Sequence, residues 1–167
     1  NETPPHIAFE ETRKQARKRG VRVSGSELVG LIPLESMITS GKYYLTKQKR
    51  STGIPIKDII HIAIKSMGLD DLAPFDPNEK IIEYIIGKQS GELAAMTLCN
   101  FSDELSSDSP APGGGSVSAL AGALGASLSA MVANLTFGKK KWEPLFKQMS
   151  KLADDSQKLK DELIQLI

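Results

Sequence analysis

The chain has 167 residues, 21 basic and 20 acidic, with a formal charge of +1. That is length enough for one ordinary domain or two small ones, and a charge balance that excludes nucleic acid or an anionic membrane held by a strong positive field. A lone cysteine, Cys99, excludes an internal disulfide, and with only two histidines beside it the chain is too poor in ligands for a structural zinc site; no metal, a reducing cytoplasmic setting, and small-molecule or protein partners are expected.

In chain order, the run Asn1 to His6 shows neither a charged start with an apolar stretch nor a cleavage site, so no secretion signal is read there. The lack of an initiator methionine fits a segment cut from a longer protein. Ala8 to Arg19 reads as a polar helix with Phe9, Thr12 and Ala16 inward, stopped by Gly20 where a left-handed residue is needed. Val21-Arg22-Val23 alternates as a strand does, and Ser24-Gly25-Ser26 turns the chain before a second extended run, Leu28 to Ile32. Pro33 suits the first turn of a helix with Leu34, Met37, Ile38 and Leu45 inward and Gly41 as its weak point.

Beyond a basic, turn-rich loop at 47–55, the three- and four-residue spacing of Ile56, Ile59, Ile60, Ala63, Ile64 and Met67 predicts an amphipathic helix closed by Gly68. Asp76-Pro77-Asn78-Glu79 is a helix start, since Asp76 accepts from orphan amides and Pro77 pre-sets φ; the helix is read through Ile86. The polar run Gly87 to Gly91 marks a domain boundary.

Only helical patterns follow. Leu93 to Ser106 presents Met96, Cys99, Phe101 and Leu105, and Pro110 and Pro112 force a break after it. Val117 to Phe137 is 21 residues without a charge, long enough to cross a bilayer. Its many Ala, Ser and Gly residues bring little transfer free energy, so a buried bundle helix is expected, with Gly122, Ala126 and Ala130 as a smooth contact face. From Pro144 a last helix carries Leu145, Phe146, Met149, Leu152, Leu159, Leu163 and Leu166 on its apolar side.

Two runs are more particular than periodicity explains. Val23-Ser24-Gly25-Ser26-Glu27-Leu28-Val29-Gly30-Leu31-Ile32-Pro33, then Arg50 to Pro55, Pro74 to Pro77 and Ile81 to Tyr84, resemble the closing third of glutamate formimidoyltransferase. Asp103-Glu104-Leu105, Ser109 to Ser116, the small-residue helix and Phe137-Gly138-Lys139-Lys140 resemble the opening of formimidoyltetrahydrofolate cyclodeaminase and its methenyltetrahydrofolate cyclohydrolase relatives. The order is that of bifunctional members of the family.

The resemblance implies an enzyme of histidine degradation. It moves a formimino group from N-formimino-L-glutamate to tetrahydrofolate, then cyclodeaminates 5-formiminotetrahydrofolate to 5,10-methenyltetrahydrofolate with release of ammonia, a step that needs a general acid. Tetrahydrofolate is implied as co-substrate, and a homo-oligomer as the assembly. The resemblance also implies that the catalytic residues of both activities fall outside this chain: the transferase histidine before Asn1, the cyclodeaminase aspartate just beyond Ile167. No catalytic residue is therefore assigned, and the chain alone is expected to be inactive.

The implied substrate-binding residues are Pro112, Gly113, Gly114, Gly115, Ser116, Lys139 and Lys140. Three glycines before a helix can bring several amides close to a carboxylate or a pteridine carbonyl; the competing reading is a tight entry that lets helices pack. Lys139 to Lys141 either capture the glutamate tail of folate or simply cap the helix end. His61, His6 and the pair Asp154 and Asp155 are read as structural or solvated, and Glu27 either lines the transferase cleft or makes a capping or backbone contact.

The expected architecture is α+β: a partial α/β sandwich subdomain followed by an incomplete all-α helical bundle. Its divisions are 1–87 as the C-terminal part of a formimidoyltransferase domain, 88–95 as linker and 96–167 as the start of a cyclodeaminase-like helical domain. The alternatives are a non-catalytic helical association module, a cyclohydrolase-like protein, and a membrane-associated helix protein suggested by the uncharged run alone.

Overall fold

The computed structural model describes residues 3–87 and 91–167. Asn1 and Glu2, and positions 88–90 of the expected linker, lie outside the described residues. The chain divides into two compact units, Asn1–Gly87 and Lys88–Ile167.

Among its described residues the first unit holds five helices: α1 (Pro5–Lys18), α2 (Leu34–Lys47), α3 (Ile56–Met67), α4 (Pro77–Lys80) and α5 (Ile82–Ile86). Proline at N1 lets α1 begin three residues before the expected Ala8, because the missing N–H is one the helix could not have used. That earlier start takes His6 into the helix, where it is the one buried residue of α1 among those described. Phe9 packs on the core as expected, whereas Thr12 is exposed and donates to the Ala8 carbonyl.

The core gathers Met37 and Tyr44 of α2 and Ile60, Ala63, Ile64 and Met67 of α3 around Ile32 and Ile81. α3 ends as the sequence predicts, with Gly68 at φ +61 as its left-handed cap. Gly41 is not a weak point. A Cβ there would lie 2.2 Å from the Ile59 carbonyl oxygen, so this glycine is what lets α2 and α3 approach backbone to backbone.

The expected α+β architecture does not form. Among the described residues the only β pairing is one isolated parallel bridge, Ile32 with Ile81, made by Ile32 N–H to the Lys80 carbonyl (2.9 Å) and Ile82 N–H to the Ile32 carbonyl (3.0 Å). Val21 to Val23 runs without a partner strand, and Val21 is exposed. An alternating run becomes a strand only when a neighbour takes up its ladder bonds. Here the following turn docks elsewhere, Ser26 donating through N–H to Gly68 O (3.0 Å) and through its hydroxyl to Met67 O (2.7 Å). The same bridge divides the helix read through Ile86, since Ile81 at φ −94, ψ 122 leaves helical space between α4 and α5. Asp76 caps α4 as expected, accepting from Asn78 N–H at 2.8 Å.

The second unit contains α6 (Leu98–Leu105), α7 (Gly114–Thr136) and α8 (Phe146–Ile164), with a 3-10 turn at Lys140–Leu145. α6 is shorter than the predicted 93–106, since Thr97 caps it by accepting from Asn100 N–H; Phe101 is its buried residue and Cys99 is exposed. α7 and α8 form an antiparallel hairpin, with Phe137 stacked on Phe146 at the turn (4.9 Å) and Ser116 Oγ 3.4 Å from the Ile167 carbonyl at the open end.

The seam of that hairpin includes Ala126 and Ala130 of the expected contact face, but its α8 side differs from expectation. Buried on α7 are Ala119, Ala123, Ala126, Ala130 and Ala133, and on α8 Ala153 and Ser156. Alternating four- and three-residue steps keep the alanine stripe facing one partner. Methyl groups let the helices come close enough that the expected leucine stripe is pushed to the rim, where Leu152, Leu159 and Leu166 are exposed. Gly122 meets Leu163 at the edge of this contact.

Candidate functional site

At the start of α7 the Ala111–Pro112 peptide is cis and Pro112 is buried. Gly113 is the N-cap, at φ −121 and ψ −169, an extended conformation open to any residue. Among the described residues no side chain caps this helix, so its first amides keep the unpaired donors and partial positive charge of a helix N-terminus. Neither backbone nor packing requires glycine here: Gly114 and Gly115 have no positive φ, and a Cβ on any of the three would meet nothing within 4 Å. Ser116 points toward the last residue of the chain, its hydroxyl donating to Ile167 O.

Lys139 and Lys140 lie at the other end. Gly138 at φ +88 turns the chain out of α7, and both lysines are exposed beside the 3-10 turn. A straight helix over the printed span of α7, Gly114–Thr136, rises about 33 Å. The seven expected binding residues therefore fall in two groups at opposite ends of one helix. His61 and Glu27 are exposed, and Asp155 pairs with Lys151 at 2.6 Å. Among the described residues no three His, Cys, Asp or Glu side chains gather as a bound metal would need.

A cluster in the first unit was not legible beforehand. His6 is 6% exposed, stacked on Tyr43 with ring centres 4.5 Å apart. Beside it the Glu10 carboxylate receives Arg13 (2.9 Å), Lys47 (2.5 Å) and the Tyr44 hydroxyl (3.2 Å), tying α1 to α2. Burial works against ionisation of Glu10, but Lys47 and Arg13 outweigh it and hold the carboxyl below the usual range. Burial, then the Glu10 charge, pushes the Tyr44 phenol up. The clue in the sequence was the i, i+4, i+7 series His6, Glu10, Arg13, visible only once the helix is started at Pro5.

Burial lowers the His6 pKa from 6.5, against a smaller opposing pull from Glu10. The folded chain therefore favours neutral His6, and below pH 6.5 the unfolded chain binds the extra proton. The stability held in this group is complete above 6.5 and is lost as pH falls toward the lowered folded value. Urea midpoints followed from pH 7.5 to 5 (roughly the histidine titration range) should fall for the native chain more than for His6→Gln; parallel curves would refute this.

A helical unit carrying a partly exposed ionic tie between its first two helices, followed by an alanine-seamed hairpin opened by unexplained glycines, belongs to a two-part helical protein whose second part presents backbone amides. The family described as "Formiminotransferase domain" matches residues 1–87, and that described as "Formiminotransferase-cyclodeaminase" matches 97–167. The formimidoyltransferase-cyclodeaminase of Dictyostelium discoideum is 43% identical over 154 residues, 90% of this chain and 28% of that protein. The Gallus gallus protein of the same name is 35% identical over 167 residues, 99% of this chain and 31% of its own length. A methenyltetrahydrofolate cyclohydrolase of Methylorubrum extorquens is 41% identical over 71 residues, 42% of this chain and 34% of that protein. The chain belongs to the formimidoyltransferase-cyclodeaminase family, a family of folate-related enzymes. It spans less than a third of the length of these bifunctional relatives.

Proposed function

We propose that this chain is the junction of a bifunctional enzyme of histidine degradation. The whole enzyme transfers a formimino group from N-formimino-L-glutamate to tetrahydrofolate and cyclodeaminates the product to 5,10-methenyltetrahydrofolate. Residues 1–87 belong to the transferase part and 96–167 to the cyclodeaminase part. A cytoplasmic location and homo-oligomeric assembly are part of the same reading.

Within it, Pro112, Gly113, Gly114, Gly115 and Ser116 receive the folate. One observation carries this: three consecutive glycines have ordinary φ values and open space where their side chains would be, so nothing described in the chain explains them. A ligand approaching the backbone does. The contact of Ser116 with Ile167 supports the placement of catalysis, because an acidic motif following Ile167, as the resemblance implies, would emerge beside the same amides. Lys139 and Lys140, about 33 Å away along α7, serve anionic tails reaching the other end of the hairpin and not a head group seated on Gly114.

Titration of the chain with 5-formyltetrahydrofolate, a stable reduced folate, should give saturable binding. Gly114→Val, which meets open space, should weaken it at least about tenfold, as loss of close backbone contacts to a charged group does, with helix content unchanged. Equal binding by both proteins, or none by either, would sink the folate role. Retained self-association without binding would instead favour a helical association module. A second reading, that α7 enters a bilayer, rests on its length and on an 18-residue stretch within it whose mean hydropathy is 1.6 and of which 28% is buried. Cofractionation with membranes after a high-salt wash tests it.

A further inference from the structure

The cluster at His6 is attached to an open groove of ≈ 520 Å³ between α1 and α2. Its chemistry is set by a hydrogen-bond relay. Ser40 has one hydroxyl proton, and donates it to the Ser36 carbonyl at 2.7 Å. At its 3.2 Å contact with His6 Nδ1 the same oxygen can only accept. Nδ1 therefore carries the imidazole proton, and Nε2 is left as an acceptor. Among the described residues Nε2 has no hydrogen-bond partner, while His6 lines the groove. The ring is mostly buried, but Nε2 is not among the buried atoms left without a partner, so this acceptor opens on the groove, where a donor from solvent or from a ligand can reach it.

The rest of the lining supplies charge. Tyr43 flanks the imidazole, and Arg13, Lys14 and Arg17 follow along α1. Arg13 is held by Glu10, but Lys14 shares Glu11 with Gln15 in an exposed pair that water or another anion can replace. The Arg17 side chain has no ion-pair or hydrogen-bond partner among the described residues. Helix side chains lean toward the N-terminus, which carries the Lys14 and Arg17 heads back toward His6 and leaves roughly 10 Å between anion holder and acceptor.

We propose that this groove binds a small acid, a carboxylate or phosphate bearing a hydroxyl or amino group, with Arg17 and Lys14 holding the oxyanion and His6 Nε2 accepting from the donor. The site lies wholly in the first unit and uses none of the residues assigned to folate, so either assignment can fail without the other. Guanidinium and ammonium suit the two oxyanion types equally, and the two arms of the test separate them.

The test is long-range nitrogen–proton correlation spectroscopy of the labelled chain, titrated at constant ionic strength with inorganic phosphate in one arm and malate in the other. Before any addition His6 should show the Nδ1–H tautomer. Malate should move His6 Nε2 and the Arg17 side chain saturably while exposed His61 stays still. Phosphate, if the oxyanion alone suffices for capture, should move Arg17 and compete with malate. Arg17→Ala, at an exposed position, should weaken malate at least about tenfold by removing a charge-assisted contact. An Nε2–H tautomer, parallel linear shifts of His6 and His61, or malate binding indifferent to Arg17→Ala would each overturn the proposal. Competition between the two acids with His6 unmoved would overturn it as well, because the acceptor would then have no role.

Discussion

Gly41→Ala should destabilise the first unit by about 3 kcal/mol, at the upper end for overpacking, although alanine is the better helix former. The added Cβ would sit 2.2 Å from the Ile59 carbonyl oxygen and 2.5 Å from its Cγ2. The nearest neighbour is backbone inside α3, and so is the Ile59 carbonyl carbon at 2.9 Å, so turning the Ile59 side chain cannot relieve the clash. α2 and α3 must separate, and the contacts that bury Met37, Tyr44, Ile60 and Met67 between them loosen together. For a unit of this size the loss lowers Tm by on the order of 10–20 °C. The control is Gly125→Ala on α7, where a Cβ meets nothing within 4 Å; there helix propensity acts alone and should add up to about 1 kcal/mol. Thermal unfolding read separately in each unit by hydrogen exchange decides the matter, and two stabilising substitutions would show that the close approach is not real.

That contrast marks what a sequence can and cannot disclose. Both glycines sit inside helical patterns, and local reasoning treats them alike. Features set within one turn of chain were legible: the left-handed stop at Gly68, the Asp76 cap, and the break enforced by Pro110 and Pro112. Features that depend on a distant partner were not. Val21 to Val23 alternates as a strand should, yet pairing is a property of two segments, and here the turn after it binds the end of α3. In α8 the heaviest apolar residues were assigned to the interior, whereas the partner's alanine stripe selects Ala153 and Ser156 and leaves leucines outside.

The site divides along the same line. Consecutive glycines before a helix are visible in any reading, and what the structure adds is that nothing inside the described chain requires them. The lysines were visible too, but only the uninterrupted length of α7 separates them from the glycines. His6 was hidden because its role depends on Ser40 and Tyr43, which lie on another helix.

Ala123→Asp should open the hairpin of the second unit. Ala123 is 2% exposed within the seam, where α7 contributes no charged residue and packs against α8. A carboxylate there must lose its water without gaining a partner, or force the helices apart; either route costs on the order of 3 kcal/mol or more. Leu124→Asp, one residue on but on the 55% exposed side, should cost no more than about 0.5 kcal/mol in an isolated chain. The readouts are helix content by circular dichroism and protease cleavage within the turn at Lys140–Leu145, which should rise for Ala123→Asp alone. If the Leu124 variant fails equally, that face is covered when the protein is assembled, and dilution should then remove the difference between it and the native chain. If neither variant changes anything, the alanine seam is not what joins α7 to α8, and the geometry that presents Gly113 to Ser116 at the open end loses its support.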